Sequence, residues 1–253
     1  MQLTVYFSPA DVAAVPVQPN DVFIVIDLIR ATTTMAVQFE RGARRVFAAD
    51  GLEQAELAKR LFPERLLCGE RHAKPLPGFD YGNSPAQFAQ MDLSERDLVM
   101  TTTNGTRAFF ACPAESVRLA GCFYNAQAVT ALALSAAHER GSNLHIVCAA
   151  EFGFFALDDA TCAGYLAAEL IRQQPDLQVH ESVYAATALY ESYAPPKLLE
   201  YCRSARSVRA AGLEADLEYC MRVSATEVVP QVVGLEETTG LLVLARAGRG
   251  LAY

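Results

Sequence analysis

This 253-residue chain has no CxxC pair, no H-x-x-x-H pair, no excess of basic residues and no apolar run near the roughly 20 residues that span a bilayer. Each absence removes a class of function. Seven scattered cysteines, odd in number, suggest neither a zinc cage nor a disulfide framework, and reduced thiols in a cytoplasm are the simple reading. A net charge of −8 argues against a general nucleic-acid binder, which carries a basic face to displace phosphate counterions. The start, MQLTVYFSPADV, has no basic n-region and no long apolar stretch, so the chain is expected to be neither secreted nor embedded in a membrane. Neither Walker A spacing nor G-x-G-x-x-G occurs, which argues against a mononucleotide loop. CPAESVR (112–118) has the C-x5-R spacing of cysteine phosphatases without their glycine-rich cradle. DLIRATTT (27–34) lacks D-x-D-x-T, because Ile29 stands where the second aspartate would be.

With 52% hydrophobic and 20% charged residues, the sequence reads as a folded protein. Short β-branched runs (LTVYF, VFIVI, RRVFAA, RLLC, DLVM, SVRLA, LHIVCAA) alternate with amphipathic stretches such as GLEQAELAKRLF and LDDATCAGYLAAELIRQ. The alternation predicts a three-layer α/β/α fold with a mostly parallel or mixed sheet, as one domain over 1–253. IVIDLIRATTTMAV and LVMTTTNGTRAFFA echo one another weakly, so two pseudo-repeated lobes, about 1–110 and 111–253, are a second reading. After Glu181 the pattern turns mostly helical, and EVVPQVVG and TGLLVLARA predict a late hairpin at the sheet edge, where Pro230 would be tolerated.

In an open α/β sheet, ligands bind where strand C-termini feed helix N-termini, because unpaired N–H groups and the helix dipole favour anions there. Two Thr-rich turns fall at such junctions. In TTTNGTR, Thr101, Thr102, Thr103 and Thr106 offer hydroxyls, Gly105 a tight turn, Asn104 a helix cap and Arg107 a planar fork for oxyanions. An ordinary capped turn would look the same. In DLIRATTT, Asp27 ends a buried strand, with Arg30, Thr32, Thr33 and Thr34 following; Asp27 and Arg30 could also simply pair with each other. The long irregular segment GERHAKPLPGFDYGNSP (69–85) carries Glu70, Arg71, His72, Lys74, Asp80 and Asn83, with Ser84 and Pro85 forming a helix start. Glu151 lies just past a strand, and Asp158 and Asp159 open a helix, where dipole compensation alone would justify them. Carboxylates gathered at strand ends suit Mg²⁺, which takes few of them, keeps water and bridges to phosphate.

VIDLIRATTT, GERHAKPLPGFDYGNSP, TTTNGTRA, GCFYNAQAV and ALDDATCAG, in that order and at these separations, closely resemble the ComB family of 2-phosphosulfolactate phosphatases. The resemblance runs from about Asp21 to Leu170, and GLEADLEYCMRVSATEVVP (212–230) is similar to the family's C-terminal part. It implies a cytoplasmic, Mg²⁺-dependent hydrolase that converts 2-phospho-3-sulfolactate to sulfolactate and phosphate, a step of coenzyme M biosynthesis. On that basis Asp27, Glu70 and Asp159 are the expected Mg²⁺ ligands, and Asp27, Arg30 and Arg107 the catalytic groups. Thr102, Thr103, Asn104, Gly105, Thr106 and Arg107 are expected to hold one anionic group and Arg30, Thr32 and Thr33 another, with Arg71 and Asn83 added to the substrate-binding set. The expected partner is a small anionic phosphorylated substrate, with no nucleic acid and no membrane; a homodimer is left open. Two rivals stay in view: the same chemistry on another phosphorylated small acid, and a non-catalytic small-anion binding protein.

Overall fold

The structure, a computed structural model, describes residues 1–248. Its strands are β1 (Gln2–Tyr6), β2 (Val22–Ile26), β3 (Arg45–Ala48), β4 (Leu66–Arg71), β5 (Lys74–Pro75), β6 (Asp97–Thr101), β7 (Val117–Gly121), β8 (Leu144–Cys148), β9 (Gln178–Val179), β10 (Pro230–Glu236) and β11 (Leu241–Arg246). The helices are α1 (Pro9–Ala13), α2 (Ala31–Glu40), α3 (Leu52–Leu61), α4 (Pro85–Phe88), α5 (Gly105–Phe110), α6 (Ala126–Arg140), α7 (Leu157–Gln173), α8 (Glu181–Tyr193), α9 (Leu198–Tyr201), α10 (Arg203–Ala210) and α11 (Glu214–Met221). Each predicted strand is present, and the layers are α/β/α. Strands β2, β6 and β8 are buried at every residue, which is why VFIVI, DLVMT and LHIVC read as near-continuous apolar runs rather than alternating ones.

All strands join one sheet in the order β5-β4-β6-β3-β11-β10-β7-β2-β8-β1-β9. Strands β4, β6 and β3 form one parallel block, and β7, β2, β8, β1 and β9 another. The β10–β11 hairpin sits between them, not at the sheet edge that the sequence pattern predicts: β10 runs antiparallel to β7 and β11 antiparallel to β3, so the two blocks run in opposite directions. The physical reason is edge pairing: β3 and β7 each end a parallel block, and the hairpin satisfies both open edges at once. Pro230 is tolerated because it opens β10, while the ladder to β7 runs through Gln231 and Leu119.

Four strands separate β2 from β6 in this order. At about 4.8 Å per strand a flat sheet would hold them about 24 Å apart. Their C-terminal turns nevertheless touch: a Cβ built on Gly105 would lie 2.6 Å from Asp27 Oδ2. The sheet is therefore strongly coiled, and its two blocks close on a shared cleft. The two echoing segments are the two sides of this closure, β2–α2 and β6–α5.

Among the described residues no helix is long and apolar enough to cross a membrane. All seven cysteines are free and buried, and burial raises the Cys68 and Cys112 thiols, the latter to about 12, far from a reactive thiolate.

Candidate active site

The cleft, about 340 Å³, lies at the C-terminal ends of β2, β4, β6 and β8 and is closed from one side by α10. Five carboxylates line it: Asp27, Glu70, Glu151, Asp158 and Asp159. The backbone there is unusual. Non-glycine residues His72, Ala73, Ala150 and Phe152 line the cleft with φ between 52° and 64°, a left-handed conformation that costs about 1–3 kcal/mol each and persists where neighbours dictate it.

Each carboxylate is placed by specific donors. Asp27 Oδ1 accepts the Ala31 N–H at 3.1 Å, so this residue, the first after β2, satisfies the free N–H of the first residue of α2. Asp159 receives the Leu28 N–H on Oδ1 (2.8 Å) and the Ala150 N–H on Oδ2 (3.1 Å), tying the ends of β2 and β8 to α7. Glu70 Oε1 accepts from the Thr103 N–H (3.0 Å) and hydroxyl (2.9 Å), and Oε2 from the Ala73 N–H (3.0 Å). Ser204, on the facing helix, favours the charged form of Asp158. Crowding shows in their proton affinity. Burial first, then the Glu70 charge, push Asp27 up to about 6. Burial, with Asp27 and Glu151 nearby, pushes Asp158 to about 7, and Asp159 is raised well above the usual range by burial, Asp158 and Asp27.

Cationic groups face this cluster from two directions. Arg30 is 3% exposed; Nη1 donates to Asp216 Oδ2 at 2.6 Å and Nη2 to the Ala73 carbonyl at 3.0 Å. The alternative pairing with Asp27 is not formed, although Arg30 still opposes the rise of Asp27. Two of its five N–H donors are thus engaged, which leaves the guanidinium anchored in the wall with donors to spare. Asp216 also accepts the Ser84 hydroxyl (2.5 Å) and the Ala86 N–H (3.2 Å), joining α11 to α4 and the cleft. At the rim stand His72, Lys74 and Arg203.

Of the expected site residues, Asp27, Arg30, Glu70, Asn83, Thr103, Asn104 and Asp159 line the cleft together. Others do not. Thr32 and Thr33 are fully buried, and their hydroxyls donate to the carbonyls of Asp27 and Leu28, so they fix the turn rather than a ligand. Thr102 and Thr106 bond each other reciprocally, N–H to hydroxyl, as an internal cap of α5. Arg71 donates to the Glu70 carbonyl and lies outside the cleft. Arg107 points at solvent, 59% exposed, donating to the Asp50 carbonyl at 2.9 Å. Its helical position rotates it away from the turn it follows. Arg107→Ala is accordingly expected to leave kcat/KM within about two-fold, a change worth under about 0.5 kcal/mol; steady-state kinetics checks it.

Gly105 acts by what it lacks. Its missing Cβ would sit 2.6 Å from both Ala31 Cβ and Asp27 Oδ2, so glycine alone lets α5 abut β2–α2. Gly105→Ala is expected to destabilise the protein by about 1–3 kcal/mol and to displace Asp27, with a matching loss of activity; thermal unfolding and kinetics on one preparation measure both.

A sequence profile of the 2-phosphosulpholactate phosphatase family matches residues 7–234. The chain belongs to the 2-phosphosulfolactate phosphatase family. It is 35% identical over 202 residues, 79% of this chain and 84% of the relative, to a probable 2-phosphosulfolactate phosphatase of Caldicellulosiruptor saccharolyticus. Proteins of the same name from Deinococcus radiodurans (36% over 216 residues, 84% and 88%) and Thermus thermophilus (35% over 237 residues, 92% and 95%) are similar throughout. Membership makes this a phosphoric monoester hydrolase scaffold, and the residues above are what this family member places in its cleft.

Four cleft or wall residues of this phosphatase family member were not singled out as site residues by the sequence reading: Arg203, Ser204, Ser207 and Asp216. Asp216 falls in GLEADLEYCMRVSATEVVP, which carried the C-terminal resemblance, yet in the first turn of α11 an acidic residue reads as dipole compensation. Arg203, Ser204 and Ser207 lie in an arginine- and serine-rich helix that resembles a solvated face. Asp158, which reads from sequence either as dipole compensation or as one of the gathered carboxylates, lines the cleft because α7 starts inside it. Asp80 is structural: Oδ2 accepts the Leu67 N–H (2.7 Å) and pairs with Lys59.

Proposed function

We propose that this cleft hydrolyses the phosphate ester of 2-phospho-3-sulfolactate, giving sulfolactate and phosphate, with Mg²⁺ as cofactor. The observation that carries the reading on this chain is the facing of a five-carboxylate cluster by cationic side chains in one cleft at the strand C-termini. Family membership and the names of its relatives support the substrate. A plain anion-binding protein gains nothing from carboxylates beside its ligand, which disfavours the non-catalytic reading.

The donor set fits a hard divalent ion. The five carboxylates offer oxygen donors, and Asp27 and Asp158 are raised by burial first and then by neighbouring carboxylates, a crowding of negative charge that a cation relieves. Among the described residues no group of three His, Cys, Asp or Glu side chains is arranged to enclose a metal. Glu70 and Asp159 have both carboxylate oxygens engaged by backbone N–H groups, whereas Asp27 accepts from Ala31 at Oδ1 alone, so Asp27 and Asp158 are the better ligands, with water completing the shell. When bound, Mg²⁺ would supply charge neutralisation on the phosphoryl oxygens. Asp159 and Glu70 fix the two turns that position Asp27. Arg30, held by Asp216, offers its remaining N–H donors to the anionic substrate. Asp27 either orients the attack of water or itself attacks phosphorus, displacing the substrate alkoxide; a phosphoryl group trapped on Asp27, for example by borohydride reduction of the acyl phosphate, identifies the second route.

Phosphate release from 2-phosphosulfolactate, 2-phospholactate and 2-phosphoglycerate, with Mg²⁺ and with EDTA, tests the proposal. Mg²⁺-dependent release preferring phosphosulfolactate is expected; release from another acid alone would keep the chemistry and discard the substrate.

A further inference from the structure

The substrate class in this reading carries two anionic groups besides the phosphate, so something must recognise the end of the molecule away from the reacting phosphorus. Arg30 sits at the back of the cleft beside Asp27, already paired to Asp216. A second cationic group is needed, and the rim supplies one on α10. Of the three arginines on that helix, Arg206 and Arg209 donate to the carbonyls of Tyr201 and Leu199, whereas Arg203 lines the cleft. Its guanidinium is 65% exposed and stands 3.6 Å from Glu151, too long for a firm hydrogen bond, and 5.8 Å from the ring centroid of Phe152. The planar fork is therefore oriented by two neighbours but keeps its donors. Lys74, exposed on β5, lines the same cleft, and the Ser207 side chain, one helical turn after Arg203, lines it as well.

We propose that Arg203, with Lys74 and Ser207, forms the subsite for the sulfonate of the substrate, making Arg203 a specificity-determining residue. This rests on the proposed function above. A sulfonate presents three oxygens to a fork and an ammonium, and a substrate lacking it leaves Arg203 facing Glu151 and Phe152 alone. The cluster also gives α10 and the mostly helical region after Glu181 a role: they close the cleft with the group that reads the distal anion.

The test compares wild type, Arg203→Gln, Arg203→Lys and Lys74→Gln on 2-phosphosulfolactate and on 2-phospholactate, which is the same ester with a methyl group in place of the sulfomethyl. Arg203→Gln is expected to lower kcat/KM for phosphosulfolactate about 10- to 100-fold, mainly through KM, the loss of one charge-assisted pair. For phospholactate the change should stay within about three-fold, because an interaction that the substrate never makes cannot be lost. Arg203→Lys should recover part of the loss, and Lys74→Gln should lower the same ratio less. Equal losses on both substrates would make Arg203 a structural residue, and no loss on either would make it a bystander; both overturn the subsite. Failure of wild type to turn over phosphosulfolactate while hydrolysing phospholactate overturns the function reading itself, and so is distinguishable.

Discussion

Asp27→Asn is expected to lower kcat/KM by at least about 10³, roughly 4 kcal/mol of transition-state stabilisation, while leaving the protein folded. Asparagine keeps the volume and one carbonyl oxygen, so the Ala31 N–H of α2 stays capped and Gly105 still fits beneath it. What disappears is the negative charge at the one position that α2, α5 and the Glu70 loop converge on. The loss should fall on kcat as well as on kcat/KM, since the group acts on the reacting phosphoryl rather than on substrate capture. Stability should move the other way. Asp27 is pushed up to about 6 by burial and by Glu70, so removing its charge relieves repulsion, and the variant in EDTA at pH 8 should melt no lower than wild type. Parallel kinetics and thermal unfolding check the pair of outcomes; a variant that is merely unfolded shows the activity loss without retained stability.

Asp216→Ala is expected to be the most damaging substitution outside the carboxylate cluster. Asp216 and Arg30 are 1% and 3% exposed and 2.6 Å apart. Removing one member of a buried pair leaves the other charge without a counterion, typically at a cost of about 3–5 kcal/mol. In a chain of this length that corresponds to a fall of roughly 6–20 °C in unfolding temperature. The Ser84 hydroxyl and the Ala86 N–H lose their acceptor in the same change, so α4 loosens as well. Activity should fall with it, because Arg30 is no longer fixed in the cleft wall. The double variant Asp216→Ala/Arg30→Met separates the two effects. It should regain much of the stability, since no charge is left buried alone, and none of the activity.

The parts of the fold legible in the sequence were those written in local pattern: buried parallel strands as short apolar runs, helices as amphipathic stretches, and Asp27 as a carboxylate at a strand end. The hairpin was legible as a hairpin but not as a centrepiece, because pairing partners are a property of the whole sheet and β10 carries no mark of which edges it meets. The Thr triplets show the limit for the site. Thr101 ends a strand and Thr102 and Thr103 follow it into the turn, while Thr32–Thr34 lie inside a helix, so only Thr103 reaches the cleft, and one turn of helical rotation sends Arg107 to Asp50. Arg203 and Asp216 lie more than 170 residues from Asp27 in a region of unremarkable helical pattern, and only the coiled sheet brings them to it.

The central claim is that the cluster around Asp27 is assembled for a divalent cation, and the unfolding temperature of EDTA-treated protein between pH 4 and pH 8, with and without Mg²⁺, tests it most directly. A carboxyl whose folded pKa is raised binds more protons folded than unfolded, so its contribution favours folding at low pH and is lost as pH rises. Raising Asp27 from 3.8 to about 6 amounts to roughly 3 kcal/mol, and Asp158, at about 7, adds in the same direction. Without cation, the cluster should therefore lower the unfolding temperature as pH climbs from about 4 towards 8, and the fall should be smaller in Asp27→Asn/Asp158→Asn, where Asp159 alone of the three keeps a raised carboxyl. Mg²⁺ at a hundred times its dissociation constant should restore about 2.7 kcal/mol at pH 8, some 5–11 °C. A wild-type curve that matches the double variant at every pH, with no response to Mg²⁺, would contradict the account.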